Sequence, residues 1–198
     1  LAAVVVTNVG ANYLREHVKG DVRIHYVITE GGVAPNIVPD KACVWYYVRA
    51  LKRENVEDVY RRLLLIAQGA ATMTETKLEV EFMGGCYPTL NNKVLAGVID
   101  QALREVPLPV YTEEEQAFAK ALNETKPDQW EGVRARYGLD ETVQIFDRVA
   151  AISNENGYGS TDVGDVGHIV PTATFNTACY NVAAPGHSWQ ITACAGHS

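Results

Sequence analysis

The chain has 198 residues, enough for one large domain or two small ones. Apolar residues make up 47% and charged residues 21%, the ordinary balance of a soluble globular protein, and no apolar run reaches the roughly 18–20 residues that span a membrane. A net charge of −7 argues against nucleic acid as a partner but leaves the substrate open, since a basic pocket can sit on an acidic protein.

Residues 2–19 read as a helix, with Val5, Val9, Leu14 and Val18 at roughly helical spacing and Gly20 as its stop. Residues 22–29 alternate with a period of two and are rich in β-branched and aromatic types, which predicts a strand. Gly31 and Gly32 end it. Pro35 and Pro39 hold the stretch from Ala34 to Asp40 extended. Residues 41–50 predict a second strand. Glu54 to about Ala71 is the clearest helix, Val56, Val59, Tyr60, Leu63, Leu64 and Ala67 lining one face. Lys77 to Met83 reads as a third strand, with Leu78, Val80 and Phe82 facing one way. Helix–strand–strand–helix–strand predicts a compact α+β unit over 1–85, an antiparallel sheet with two helices on one face.

The character changes at Gly84-Gly85. Asn91 to Glu105 predicts a helix with apolar Val94, Leu95, Val98, Ile99, Ala102 and Leu103, ended by Pro107 and Pro109. Thr112 with Glu115 forms a capping box for the next helix. A short helix is expected near 128–136, and short strands at 168–175 and 177–182. Residues 86–198 thus read as a second part with too little strand to build its own sheet. Leu1 opens directly into helical sequence and Ser198 stops just past a glycine, so the expectation is a fragment or a processed chain. The cysteines, Cys43, Cys86, Cys179 and Cys194, form no Cys-x-x-Cys pair. They are expected as buried free thiols in a reducing, cytoplasmic compartment rather than as disulfides.

Chemistry-bearing residues concentrate in 157–190. Asp162, Asp165 and His168 lie in the glycine-rich run from Gly157 to His168, and His187 follows within Pro185-Gly186-His187-Ser188. Such a run is a poor helix and a poor central strand, its glycines allow close backbone approach, and Asp with His are common metal ligands. A metal-dependent hydrolytic site is the first reading. A solvated turn whose carboxylates bind local amides is the alternative for the cluster, and a turn histidine bonded to backbone is the alternative for His187. Asn36 and Arg49 are expected in adjacent strands, where together they suit a carboxylate. An exposed arginine and a turn asparagine remain the other reading. His25 on a strand and His17 near a helix end read as structural, and His197 carries no assignment.

The runs Tyr13–Val18, Arg23–Thr29, Ala34–Asp40 and Val44–Arg49, with Gly159–His168 and Pro185–Gln190, resemble the aminobenzoyl-glutamate hydrolase-like branch of the metallopeptidase family 20 amidohydrolases. The match runs in order over nearly the whole chain. The resemblance implies that 1–85 is an α+β lid or dimerisation domain and 86–198 a partial α/β C-terminal portion of a zinc-peptidase-like catalytic domain. It implies two divalent metal ions, zinc or manganese, a homodimer formed through the lid, and hydrolysis of an amide whose substrate carries a free carboxylate. Asn36, Arg49 and His168 become candidate substrate-binding residues and His187 a candidate metal ligand. The family's earlier metal ligands and catalytic glutamate are not found in this sequence. The chain by itself is therefore expected to be inactive, and it need hold no metal on its own. A non-catalytic dimerisation or binding module is the alternative.

Overall fold

A computed structural model describes residues 1–153, 157 and 159–196. Helix α1 (Ala2–Leu14) runs into a 3₁₀ turn (Arg15–His17) and is followed by β1 (Arg23–Glu30), β2 (Cys43–Arg49) and α2 (Arg53–Met73). Then come α3 (Lys93–Glu105), α4 (Glu113–Glu124), α5 (Pro127–Tyr137), a short α6 (Val163–Gly167) and α7 (Trp189–Ala195). The chain divides into two compact units: 1–90 with 156–170, and 91–155 with 171–198. His197 lies outside the described residues.

In the first unit β1 and β2 form an antiparallel ribbon from Arg23↔Arg49 to Glu30↔Cys43, with a bulge between Ile28 and Glu30. Alternation decides the faces. Ile24, Tyr46 and Val48 turn inward onto Leu14, Val59 and Ile66 of the helices. Cys43, Trp45 and Tyr47 occupy the outward positions and are exposed. The Tyr46 hydroxyl donates to Asn8 Oδ1. Burial, reinforced by Tyr26 and opposed by Arg15, holds the Tyr46 phenol well above its ordinary pKa. Asp21 Oδ2 accepts from the Leu51 amide at 3.0 Å, tying the start of β1 to the end of β2.

Four expectations are corrected here. The buried stripe of α1 is Val4, Thr7, Asn8, Ala11 and Leu14, whereas Val5 and Val9 are 46% and 48% exposed. Two polar residues lie on the covered side because Asn8 serves Tyr46 and Thr7 Oγ1 donates back to the Ala3 carbonyl at 2.8 Å. Residues 77–83 form no strand, because neither edge of the ribbon takes them up, and Phe82 instead packs its ring on Tyr60 of α2 at 5.8 Å. Cys43, Cys86 and Cys179 are exposed free thiols, Cys43 because the register points it outward. The glycine-rich run contains the turn of helix α6, which tertiary contacts described below hold in place against its low propensity.

In the second unit α4 opens with the expected reciprocal cap: Glu115 N donates to Thr112 Oγ1 at 3.2 Å, and Thr112 N to Glu115 Oε2 at 2.6 Å. Pro127 sits at the start of α5, and Gly138, at φ 60°, closes it in the left-handed conformation that glycine adopts without steric cost. Ala119, Leu122, Leu139, Val143, Ile145 and Ala183 are the buried apolar residues. The strands expected at 168–175 and 177–182 are absent, replaced by a single antiparallel bridge, Ile145↔Asn181, beside a Val182 N to Gln144 O bond of 2.9 Å. Helix α3 is capped by Asn92, whose Oδ1 accepts from Leu95 N at 3.0 Å. None of its residues is fully buried: Val94 and Val98 are exposed, and Leu95, Ile99 and Leu103 are half-buried.

Candidate functional site

The first site candidate is the docking of α6 on the strap 84–90, both within the first unit. Asp165 Oδ1 accepts the Tyr87 amide at 2.7 Å. The His168 ring packs against the Tyr87 ring at 4.7 Å, and its Nε2 stands 3.3 Å from the Pro88 carbonyl oxygen, to which a proton on that nitrogen donates. Arg53, at the start of α2, also lies over the Tyr87 ring, 4.9 Å from its centroid. Gly164 makes the approach possible: a Cβ there would stand 1.9 Å from the Tyr87 carbonyl oxygen. The close backbone contact expected of these glycines is therefore real, but its partner is the chain itself.

Asp162, Asp165 and His168 do not converge on one point. Asp162 precedes α6 and is exposed, Asp165 is engaged with Tyr87, and His168 with Pro88. The reading of these three as a metal cluster is corrected on that ground. Among the described residues no three His, Cys, Asp or Glu side chains gather closely enough to hold a metal ion. The residues present thus do not fit a complete metal centre.

Arg49 ends β2 opposite Arg23, half-buried, with its guanidinium 5.5 Å from the Tyr47 centroid. Asn36 is exposed and lies in the loop between β1 and β2, not in a strand. That corrects the adjacent-strand expectation. Arg49 is at the end of β2 away from where the loop re-enters at Cys43, about 20 Å along an extended strand. Two prolines and a Gly32 at φ 111° fold the loop, with Ile37 N bonded to Ala34 O at 3.2 Å.

His187, in the second unit, is exposed and adopts φ 58°. Left-handed backbone is uncommon for a residue with a side chain and persists where the surroundings impose it. Flanking His187 in sequence are partners of a polar node that motif reading does not detect. Asn123, fully buried on α4, donates to Gln144 O at 3.0 Å and to Gln144 Oε1 at 2.9 Å. Its Oδ1 accepts from Asn181 Nδ2 at 2.8 Å and from Ala183 N at 2.9 Å. Beyond the turn, buried Gln190 donates to Thr125 Oγ1 at 3.2 Å, and Ser188 caps α7. The available signal was an asparagine on the apolar stripe of α4, next to Leu122 and one turn after Ala119.

No family model matches the chain. A p-aminobenzoyl-glutamate hydrolase subunit of Escherichia coli (strain K12) is 35% identical over 207 aligned residues, covering 96% of this chain and 43% of that protein. Xaa-Arg dipeptidase of Mus musculus is 29% identical over 96 residues, covering 48% of this chain and 22% of that protein. The chain spans less than half the length of the curated relatives it matches. Across nearly its whole length, this chain is similar to the aminobenzoyl-glutamate hydrolase-like branch of the metallopeptidase family 20 amidohydrolases.

Proposed function

We propose that the chain forms part of an enzyme that hydrolyses the amide bond of an N-acyl or aminobenzoyl-glutamate-like amino acid. The 35% identity to a p-aminobenzoyl-glutamate hydrolase subunit over 96% of the chain carries this reading. Arg49 is assigned to the substrate carboxylate, which a guanidinium binds through paired charge-assisted hydrogen bonds. Asn36, in the loop at the other end of the ribbon, is assigned as an amide donor to a different part of the substrate, and His168, held by Tyr87 and Pro88, presents a ring to it. His187 is assigned as one ligand of a divalent metal, zinc or manganese, in the complete enzyme. The other ligands would come from outside the described residues, which supply no cluster of their own. By this reading residues 1–85 are a lid that also pairs two copies, and residues 86–198 belong to the catalytic domain. The relative's designation as a subunit supports an assembled enzyme.

A second reading, a non-catalytic dimerisation module, draws on the ribbon. Its outward face carries exposed Val27, Trp45 and Tyr47, and among the described residues no third strand covers either edge. The deciding experiment is release of p-aminobenzoate from p-aminobenzoyl-glutamate by the natural protein that carries this sequence, with metal content measured in parallel. Turnover with bound zinc or manganese supports the hydrolase. Stable dimers without metal and without turnover support the module. No helix among the described residues is long and apolar enough to cross a membrane.

A further inference from the structure

We infer that Asn123 and Thr125 are positioning residues, which hold both sides of the turn presenting His187. The inference rests on the reading of His187 as a functional side chain. Both residues belong to the C-terminal end of α4, two positions apart. Upstream of the turn, Asn123 Oδ1 takes the side-chain amide of Asn181 and the backbone amide of Ala183. Downstream, Thr125 Oγ1 takes the side-chain amide of Gln190. Asn123, Asn181, Ala183 and Gln190 are all buried, at 0%, 0%, 1% and 2% exposure. Between these anchors His187 itself is exposed and held at φ 58°. A buried clamp upstream, and downstream a bond from buried Gln190 to the exposed Thr125 hydroxyl, restrict the backbone of this short segment without using the presented side chain. Gln144 completes the node from a third direction, its side-chain Nε2 donating to the Glu141 carbonyl at 2.9 Å while its Oε1 receives Asn123. A purely structural role, in which these bonds serve only to keep the unit folded, makes a different prediction.

Thr125→Val removes the acceptor for Gln190, together with the hydroxyl's own 2.7 Å bond to the Leu122 carbonyl, and leaves the Asn123 node intact, so the unit should still fold. Thr125→Ser restores the hydroxyl. Amide hydrogen exchange across 184–191 is read in the purified protein. The expected result is exchange about fivefold faster in Thr125→Val, the equilibrium worth of one hydrogen bond. Exchange in α5 and in α4 before its last turn stays unchanged and Thr125→Ser returns to the parent rate. In the active enzyme kcat falls severalfold while KM holds within about twofold. Unchanged exchange at 184–191, a serine variant no better than valine, or equal loosening of the whole unit would overturn the assignment. The two readings fail separately. If His187→Ala leaves hydrolysis intact while Thr125→Val still loosens the turn, the functional role of His187 falls and the clamp stands. If His187→Ala abolishes hydrolysis and Thr125→Val changes nothing, the clamp falls.

Discussion

Replacing Asn123 by alanine removes four hydrogen bonds at a residue with no exposed surface. Their loss is unequal. The Gln144 carbonyl keeps the Val182 amide at 2.9 Å and stays satisfied. The Ala183 amide and the Asn181 side-chain amide lose their partner in buried positions, and Asn181 Oδ1 already has no hydrogen-bond partner in the described structure. Each unsatisfied buried group costs about 1–3 kcal/mol. Two donors, with Gln144 Oε1 partly relieved by rotation, give about 3–5 kcal/mol. That is a large share of the roughly 5–15 kcal/mol that holds a native domain together. Urea denaturation read by tryptophan fluorescence, with Trp130 and Trp189 in this unit, should show the midpoint lowered by about 1.5 M for a slope within the usual range. A double-mutant cycle with Asn181→Ala isolates the pair, and the double variant should lose less than the sum of the single ones. A loss below about 1 kcal/mol for Asn123→Ala, or strict additivity with Asn181→Ala, refutes the node.

Gly164→Ala forces a Cβ to 1.9 Å from the Tyr87 carbonyl oxygen, so α6 must undock. The His168 ring signals should lose the upfield shift imposed by Tyr87, and retained shifts would contradict the close approach. Asp140 accepts the Thr142 hydroxyl and, at 2.8 Å, its amide, and these bonds hold its carboxyl below the ordinary aspartate value. With the folded pKa below the unfolded one, its stabilisation is present above the unfolded value and is lost as pH falls through the folded one. Carboxyl NMR should therefore place its titration below that of a free aspartate; a midpoint at or above it contradicts the turn geometry. Arg49→Ala in the active enzyme should raise KM for carboxylate-bearing substrates by about tenfold or more, from roughly 1.5–3 kcal/mol of charge-assisted binding. An unchanged KM removes Arg49 from the substrate site.

Local chemistry was legible wherever neighbours in sequence supply the partner. Thr112 and Glu115 are three residues apart and cap each other as expected. The ribbon and α2 follow their periods of two and 3.6, so Ile24, Val48, Val59 and Leu63 are covered as the pattern requires. Lys77–Met83 carries the same alternation, but alternation describes a face and not a ladder partner, and Phe82 found its neighbour on α2. Cys43 looked buried by composition and is exposed by register. The candidate site was legible as a list of residue types and not as an arrangement. Asp165 and His168 turn to Tyr87 and Pro88, some eighty positions away, which no spacing rule reports. Asn123 was invisible because its role depends on partners at 144, 181 and 183 that only folding brings together.

The most direct test is the time course of p-aminobenzoate release from p-aminobenzoyl-glutamate by the natural protein carrying this sequence, run beside its His187→Ala variant. Steady release by the parent and none above background by the variant, with both proteins folded, is the expected result. No release by the parent, or equal release by the two, contradicts it.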